Sequence, residues 1–462
     1  MPKEKIKDNL LYKEYIVIGS GLSGLSASKE LSKNKKEHLI VTSNYEPSKV
    51  SKSDTFRNSI FKRKSVSPKI HIKRFQREME NWQNVYNIKH SSFNLIQILS
   101  NSVGGLSRYW GANLGHDYSE VIESNIENLI EVNRANLIRD DNKISMQSDL
   151  SEKILFSKSN EKSFINFHSP FLGIAIKNES QSICKKCGAY YCNCDGKLLQ
   201  PYKFNNEKII EFEVKKIKQD GNIFFLTGIN HENRRETISC KYLIFACGPI
   251  ISPLLVNMIK KIPNELNLNH NGLFSFPFLS FYKIKNKPLA LSNLNLSIYS
   301  SKTAKYQKDP EAYANIFPLK PQLLIKYPFL NGISDKILNR LYYCVVYTDS
   351  TFVNSKLNIK ESKVKGEYKK KFYFFSIFIY LRIILFLLRK AFCLPILFPI
   401  YSSPGTDIHY GSTLSNVDFG KNLNNKIFFY DSSTIKKISS INPTVRNLTL
   451  SKRKFRDWIT NH

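Results

Sequence analysis

The stretch "YIVIGSGLSGLSASKEL", Tyr15–Leu31, decides the fold class. A short apolar run leads into a glycine-rich turn and a helix-compatible segment, and a second apolar run begins at His38. This order of strand, G-x-G-x-x-G turn, helix and strand is typical of a domain that binds a dinucleotide. Gly19 would form the tight turn, Gly21 would let a pyrophosphate approach, and Gly24 would let the helix pack closely on the strand.

The second strand of this unit departs from the usual pattern at its end. An acidic residue normally stands there and binds the ribose hydroxyls. Thr42, Ser43 and Asn44 occupy that place here. Neutral side chains form weaker hydrogen bonds than a carboxylate does. We therefore expect the adenosine half of a bound dinucleotide to be held weakly or in another way.

The stretch "VGGLSRYWGANLG", Val103–Gly115, is a second candidate binding loop. Its glycines surround Trp110, one of 3 tryptophans in the chain. Glycine is favoured where φ must be positive or where another molecule approaches the backbone closely. The stretch therefore predicts contact with a ligand, although two tight turns beside a core tryptophan would need the same residues.

The composition is that of a globular protein with a strongly basic surface. The 462 residues are 42% hydrophobic and 23% charged, and the formal net charge is +31. These values exclude a disordered chain and indicate acidic partners, such as a phosphorylated substrate or anionic lipid. The basic residues form no track interleaved with aromatic residues, so we do not expect nucleic-acid binding. No signal-peptide pattern precedes Tyr15, and we expect a cytoplasmic protein.

Three further stretches carry a resemblance to one known family. They are "KYLIFACGPIISPLLV" at Lys241–Val256, "HYGSTL" at His409–Leu414 and "IFFYDSSTIKKISSINPTVRNLTLSKR" at Ile427–Arg453. Together with the two glycine-rich stretches, and in the same chain order, they resemble the glucose-methanol-choline family of FAD-dependent oxidoreductases. The resemblance implies an α/β fold in which a discontinuous Rossmann-like FAD-binding domain adjoins a mostly antiparallel β-sheet substrate domain.

The resemblance also implies a set of FAD-binding residues. The second glycine-rich loop would lie along the flavin, with Trp110 and Asn113 beside the ring, and Asp431 would meet the ribityl and phosphate groups. The turn at 442–444 would lie over the flavin, and the helix after it would direct its N-terminus at the pyrimidine carbonyl. The full set is Gly19, Gly21, Gly24, Ser43, Gly104, Gly105, Ser107, Trp110, Gly111, Asn113, Val214, Gly248, Asp431, Asn442, Pro443 and Thr444.

Two residues are candidates for the chemistry on the substrate. Hydride transfer from a carbinol carbon to a flavin requires loss of the hydroxyl proton, so a base must reach that oxygen. His409 is the candidate base, and Asn442 would orient the same oxygen. The match is irregular, because the family has glycine directly before Thr413 and Gly411 stands one place earlier. A surface-loop histidine and a simple Asn-Pro turn are the alternative interpretations.

Four cysteines lie close together in the stretch "CKKCGAYYCNCDG". They are Cys184, Cys187, Cys192 and Cys194, with the spacing C-x2-C-x4-C-x-C. Thiolates this close in a reducing compartment normally bind zinc or an iron–sulfur cluster. The tight C-x-C pair is less usual in such sites, so a segment without metal is the third alternative.

The chain divides into three predicted parts. The FAD-binding domain would comprise residues 1–115, 200–256 and 405–462, and a variable insertion with the cysteines would comprise residues 116–199. The substrate domain would comprise residues 257–404, where alternating apolar residues predict antiparallel strands.

The apolar stretch "FYFFSIFIYLRIILFLL", Phe372–Leu388, raises the question of a membrane. As a helix it would be about 26 Å long, which is short of the roughly 30 Å hydrocarbon core. A single crossing would also separate Gly19 from Asp431, which are assigned to one flavin. The alternatives are a buried core helix and an interfacial helix whose basic flanks meet anionic head groups. We favour the interfacial helix, which would make the protein peripheral on the inner membrane face.

The activity that the resemblance implies is oxidation of a CH–OH group by hydride transfer to FAD. A sugar or a lipid-linked glycan precursor is the candidate substrate, and O2, a quinone or a protein is the candidate electron acceptor. Two alternatives use the same fold. One is a flavin-dependent isomerase or mutase of a sugar derivative, which needs no external acceptor. The other is a degenerate flavoprotein scaffold, which the missing ribose acid and the irregular histidine motif favour.

Overall fold

The computed structural model describes residues 11–43, 89–90, 105, 113–115, 118–124, 126, 133–134, 154, 164–168, 171–172, 209–282, 294–299, 309–319, 335–402, 404–405, 409–420, 423, 425–441 and 443–461. The α-helices within these residues are α1 (Leu22–Lys33), α2 (Tyr118–Ser124), α3 (Ile251–Val256), α4 (Asp335–Leu338), α5 (Lys370–Ala391) and α6 (Pro443–Thr460). The first strands are β1 (Leu11–Ile18), β2 (His38–Thr42), β3 (Lys89–His90), β4 (Asn113–Gly115), β5 (Asn133–Arg134), β6 (Ile165–His168), β7 (Phe171–Leu172), β8 (Ile209–Asp220), β9 (Ile223–Asn230) and β10 (Arg235–Phe245). The later strands are β11 (Glu265–Asn267), β12 (Gly272–Ser280), β13 (Leu294–Ile298), β14 (Ala312–Pro318), β15 (Leu341–Thr348), β16 (Val353–Asn358), β17 (Lys363–Tyr368), β18 (Cys393–Pro395), β19 (Ile400–Tyr401) and β20 (Ile427–Phe429).

A parallel sheet forms the centre of the first unit. Its strands follow the order β20, β10, β1, β2 and β8, and each neighbouring pair is parallel. Beyond β2, the long strand β8 pairs with β9, and β9 pairs with the first half of β10. The central strands are apolar on both faces because both faces are covered, and Ile16, Val17, Leu243 and Ile244 are fully buried.

Helices α1 and α6 pack together on one face of this sheet. Val17 of β1 lies in the same buried cluster as Leu25 of α1 and Phe455 of α6. The buried carboxylate of Glu30 on α1 accepts a hydrogen bond from Arg456 Nε on α6 at 3.0 Å. A buried charge needs such a partner. This ion pair therefore holds the C-terminal helix against the helix that follows the glycine turn.

An antiparallel sheet forms the second unit. Its order is β18, β12, β15, β14, β13 and β6, and β19 also pairs with β12. Successive residues of a strand point to opposite faces. Phe274, Phe276 and Phe278 of β12 therefore pack with α5, whereas Leu273 packs with Val345 of β15 on the other face.

Part of the segment predicted as an insertion is built into both units. Strand β6 is the edge strand of the antiparallel sheet, where Ile165 pairs with Ile298 of β13. Helix α2 contacts α6, because Lys452 Nζ donates to the backbone carbonyl of Glu123 at 2.7 Å. A strand as short as β6 has too few alternating residues to be recognised in the sequence.

Helix α5 is longer than the apolar stretch that predicted it. It has 22 residues, or about 33 Å at 1.5 Å per residue, so the length predicted from the apolar stretch alone was too short. The difference arises because the flanking basic residues continue the helix at both ends. Within the described ranges, α5 is the one helix long and apolar enough to cross a membrane, judged by length and composition, and 44% of its most apolar window is buried inside the protein.

Candidate active site

The first glycine-rich turn is closed by tight backbone packing. Gly19 has a φ of +106°, and a Cβ there would lie 2.5 Å from the carbonyl oxygen of Ala246. A Cβ on Gly24 would lie 1.9 Å from the carbonyl oxygen of Gly19. Both positions exclude a side chain, the first through backbone conformation and packing, the second through packing alone. The turn and the close approach of helix to strand are therefore both present.

Gly21 differs from its two neighbours, because nothing lies within 4 Å of the place where its Cβ would stand. It precedes α1 with a φ of −69°, which any residue can adopt. The second glycine-rich loop meets it here, since a Cβ on Gly105 would lie 3.3 Å from the Cα of Gly21. A helix N-terminus beside open space and bare backbone fits the pyrophosphate of a dinucleotide.

The end of β2 offers few free polar groups, but the neighbouring strand carries a carboxylate. Thr42 is buried and accepts a hydrogen bond from Ser20 Oγ at 2.9 Å, and Ser43 follows it half-buried. Glu211 of β8 stands beside Thr42 in the strand register. Val214 lies further along β8 and is buried. The sequence analysis missed Glu211, because the pairing of β8 with β2 is not readable from either segment alone.

Asp431 joins the ends of two parallel strands. Its buried carboxylate accepts hydrogen bonds from the backbone N–H of Gly248 at 2.9 Å, from the Ser252 hydroxyl and from the backbone N–H of Ser433 at 3.0 Å. Burial raises the pKa of the Asp431 carboxyl, and these hydrogen bonds act in the opposite direction. Gly248 has a φ of +90° and open space where a Cβ would stand. The contact of Asp431 with ribityl or phosphate groups stays a prediction.

His409 lies at the boundary between the two units. Its ring centroid is 5.7 Å from that of Tyr347, with the planes tilted by 43°. Tyr347 belongs to the face of the antiparallel sheet that is turned away from α5. The next residue, Tyr410, donates its hydroxyl hydrogen to the carbonyl of Gly405 at 2.6 Å. His409 therefore lies beside Tyr347 on the sheet, and the hydrogen bond between Tyr410 and Gly405 fixes the chain next to it.

The segment after His409 is hydrogen-bonded to the loops that follow β20 and β10. The backbone N–H of Ser412 donates to the carbonyl of Ser432 at 3.0 Å, and the Thr413 hydroxyl donates to the carbonyl of Pro249 at 2.6 Å. Ser412 has a φ of +75°, the left-handed conformation that favours glycine. This is the place where the family motif has its glycine. The sequence therefore differs from that motif in residue type, whereas the backbone of Ser412 has the conformation that glycine favours.

Asn113 belongs to β4, and its side chain joins a buried group of polar side chains on the antiparallel sheet. Its Nδ2 donates to Asn315 Oδ1 at 2.9 Å and to Asn295 Oδ1 at 3.2 Å. Asn295 in turn donates to the hydroxyl of Tyr313. We call these four residues the amide cluster. The alternate residues of β13 and β14 pack with α5, so the cluster occupies the same face of the sheet as Tyr347.

The N-terminus of α6 is tied to the second unit. Pro443 occupies the first helical position, which suits its fixed φ and missing N–H. Thr444 follows it half-buried. One turn later, Arg446 forms an ion pair with Asp309, and the Ser440 hydroxyl donates to the carbonyl of the residue after Asp309. These contacts hold the helix N-terminus at the boundary where His409 stands.

Three consecutive residues, 269–271, bind the segment that follows His409 and the loop that precedes α6. The sequence analysis assigned none of them a role. The side-chain amide of Asn271 donates to the carbonyls of Thr348 at 2.8 Å and Ser439 at 2.7 Å. His270 is fully buried, and its Nε2 lies 2.8 Å from Ser355 Oγ. Asn269 forms a backbone bridge with the residue two places after His409. A stretch of sequence without glycine or charge carries no signal of such a function.

Other predicted site residues lie outside the residues that the structure describes. They are Gly104, Ser107, Trp110, Gly111, Asn442, Cys184, Cys187, Cys192 and Cys194. Within the described ranges, no group of three or more His, Cys, Asp or Glu side chains could hold a metal ion. The metal centre at the four cysteines therefore stays a prediction, which elemental analysis of the purified protein would test.

Comparison with known proteins identifies the fold. No family model matches the chain, and no curated protein matches its sequence. Among solved structures, the fold matches the crystal structure of pyridoxine 4-oxidase from Mesorbium loti with a TM-score of 0.53, covering 97% of this chain and 100% of that chain. The two sequences are 11% identical, so the match establishes a shared fold. The predicted fold class is therefore confirmed: a Rossmann-like α/β domain adjoins a mostly antiparallel β-sheet domain.

Proposed function

We propose that the chain is an FAD-dependent oxidoreductase of the glucose-methanol-choline superfamily that acts on a CH–OH group. The contact of Gly105 with Gly21 is the observation that carries the proposal. It brings two separate glycine-rich stretches together at one open helix N-terminus, a place that favours the pyrophosphate of a dinucleotide. The fold shared with a protein named as an oxidase agrees with this function.

FAD would be held mainly by backbone groups. The N-terminus of α1, with Gly21 and Gly105 beside it, would bind the pyrophosphate. Gly248 would leave room for the cofactor beside the loop that Asp431 supports, and Glu211 would supply the ribose carboxylate that β2 lacks. Bound FAD would accept a hydride from the carbinol carbon.

The side chains at the boundary of the two units would bind the substrate hydroxyl and remove its proton. His409 would take the hydroxyl proton, because imidazole is a base near neutral pH. The ring of Tyr347 beside it would restrict its orientation. Asn442 would donate a hydrogen bond to the same oxygen. The N-terminus of α6 would stabilise negative charge that develops at the site.

A sugar, or a glycan precursor with a sugar at its reacting end, is the substrate that we propose. The amide cluster supports it, because each amide side chain can both donate and accept hydrogen bonds. A polar sheet face of this kind suits a ligand with several hydroxyl groups better than an apolar alcohol. O2, a quinone or a protein would then reoxidise the flavin.

The test is reconstitution with FAD, followed by anaerobic mixing with a panel of sugars and simple alcohols. We expect a visible flavin spectrum after reconstitution and its bleaching by at least one polyhydroxyl substrate. A protein that binds no FAD would contradict the proposal and favour the scaffold. Conversion of a sugar derivative without any electron acceptor would identify the isomerase instead.

A further inference from the structure

The second unit carries a large exposed apolar surface. On α5, exposed apolar side chains recur at helical spacing, among them Phe374, Phe378, Leu381 and Leu385. The segment at 392–400 adds further exposed apolar residues. Phe374 is 78% exposed and Phe398 is 84% exposed, values that are unusual for phenylalanine in a folded protein. We call the exposed apolar side chains of 373–385 and 392–400 the apolar patch.

The two parts of the patch form one continuous surface. Strands β18 and β19 run along strand β12 of the antiparallel sheet, and α5 covers the adjoining face of that sheet. The rings of Tyr373 and Tyr401 lie 5.0 Å apart between centroids. The Tyr380 hydroxyl donates to the carbonyl of Leu397 at 3.5 Å. Helix and segment therefore present their apolar side chains side by side.

The opposite face of α5 packs against the antiparallel sheet, so the helix cannot cross a bilayer. Phe372, Ile379 and Ile383 are fully buried against the sheet. The backbone N–H of Lys369, just before the helix, donates to the carbonyl of Phe352 at 3.0 Å. The chain after the helix returns to the same sheet as β18. The exposed face is therefore the outer side of a helix that lies flat on the protein.

The charged residues in the chain segment that carries the patch are all basic. No Asp or Glu stands between Glu367 and Asp407. Three exposed lysines at 369–371 stand at the start of the helix, and two basic residues at 389–390 stand in its last turn. Arg382, in the middle of the helix, donates to the carbonyl of Tyr299 at 2.7 Å, and its guanidinium lies over the ring of Phe378 at 4.0 Å from the centroid. A protein interface normally has a rim of mixed polar residues, whereas basic residues at both ends of an exposed apolar helix complement anionic lipid.

We propose that the apolar patch docks on the surface of a bilayer that contains anionic lipid. The aromatic and aliphatic side chains would enter the boundary between head groups and acyl chains, and the basic residues at both ends of α5 would contact the head groups. The site face of the antiparallel sheet, with Tyr347 and His409, is turned away from α5. Docking would therefore leave the site open.

Vesicle flotation of the full chain tests the proposal without any measurement of flavin chemistry. We expect the protein to float with phosphatidylcholine vesicles that contain about one third phosphatidylglycerol, and to float less with phosphatidylcholine alone. The double variant Phe374→Ser and Phe398→Ser should lower the partition coefficient about tenfold or more. The matched control, Leu11→Ser with Ile122→Ser, removes exposed apolar side chains from the first unit and should float like the original protein.

Further measurements separate docking from misfolding and from self-association. Both double variants should keep the melting temperature of the original protein, since all four side chains are exposed. Replacing Lys370, Lys371 and Lys390 with Gln should weaken flotation on anionic vesicles alone. Absence of flotation, equal loss in the control variant, or unchanged flotation of the patch variant would overturn the proposal. A dimer that the patch variant dissociates, without vesicle binding, would identify a second copy of the chain as the occupant instead.

Discussion

The carboxylate of Asp431 accepts a hydrogen bond from the backbone N–H of Gly248 at 2.9 Å. The two residues follow neighbouring parallel strands, β20 and β10, whose carboxyl ends meet at one edge of the sheet. Ligands of open α/β sheets bind at this edge. The buried side chain of Asp431 thus fixes the loop at Gly248. The backbone of that loop borders the space where the proposed cofactor would lie.

Replacing Asp431 with Asn should destabilise the protein. An amide has one acceptor oxygen, so at least one of the buried donors that face the carboxylate would lose its partner. We expect the free energy of unfolding to fall by about 1–3 kcal/mol, as measured by urea denaturation. The control Asp220→Asn changes an exposed carboxylate and should leave the unfolding curve unchanged. Equal curves for both variants would mean that Asp431 does not hold the loop.

Two glycine substitutions should separate cofactor binding from folding. Gly21→Leu places a side chain in open space with a φ that leucine tolerates, so we expect a folded protein that does not retain FAD. Gly24→Ala places a Cβ against the carbonyl of Gly19, so we expect a loss of stability of about 3 kcal/mol or more. Circular dichroism and flavin absorbance distinguish the two outcomes. A yellow Gly21→Leu protein would contradict the proposed pyrophosphate position.

Replacing Glu211 with Gln should weaken FAD binding without affecting the fold. A charged acceptor forms stronger hydrogen bonds with hydroxyl groups than a neutral one does. We expect the dissociation constant for FAD to rise about tenfold, which corresponds to roughly 1.4 kcal/mol. Titration of the apoprotein by flavin fluorescence measures the constant. Glu232→Gln, on an exposed turn, is the control, and an equal effect there would remove Glu211 from the ribose site.

Replacing His409 with Ala should slow the chemistry and leave the cofactor bound. Loss of a general base typically costs about 10² or more in rate. We expect a yellow protein whose flavin is reduced by substrate more slowly by that factor in anaerobic stopped-flow measurements. Tyr347→Phe keeps the ring contact with the histidine and serves as the matched control. A rate equal to that of the original protein would show that His409 is not the base.

Replacing Asn271 with Leu should lower the stability of the protein and slow flavin reduction, although Asn271 has no proposed contact with FAD or substrate. The carbonyls of Thr348 and Ser439 would lose their shared donor, which we expect to cost about 1–3 kcal/mol in unfolding free energy. Because one of these carbonyls belongs to the loop before α6, flavin reduction should also slow while FAD remains bound. Asn267→Ala, at an exposed position on β11, should change neither quantity. A loss of stability without a change in rate would limit Asn271 to a structural role.

Local features of the chain were predictable because their causes are local. The turn at Gly19 and the helix after Gly21 follow from glycine spacing and apolar runs within one stretch. The helix after the turn at 442–444 was implied by the family resemblance, and Pro443 occupies its first position, which suits proline. The apolar stretch of α5 was recognisable too, although its length was underestimated because lysine and arginine extend the helix without adding hydrophobicity.

The sequence by itself therefore determined the fold class, the first glycine turn and the chemical character of α5. Only the tertiary structure decided which distant groups meet: Gly105 with Gly21, Glu211 with Thr42, Asn113 with Asn295 and Asn315, and the segment at 392–400 with the outer face of α5. The reason is physical. A turn or a helix depends on backbone conformation and on residues a few positions apart, whereas strand register and packing between units depend on the whole chain at once.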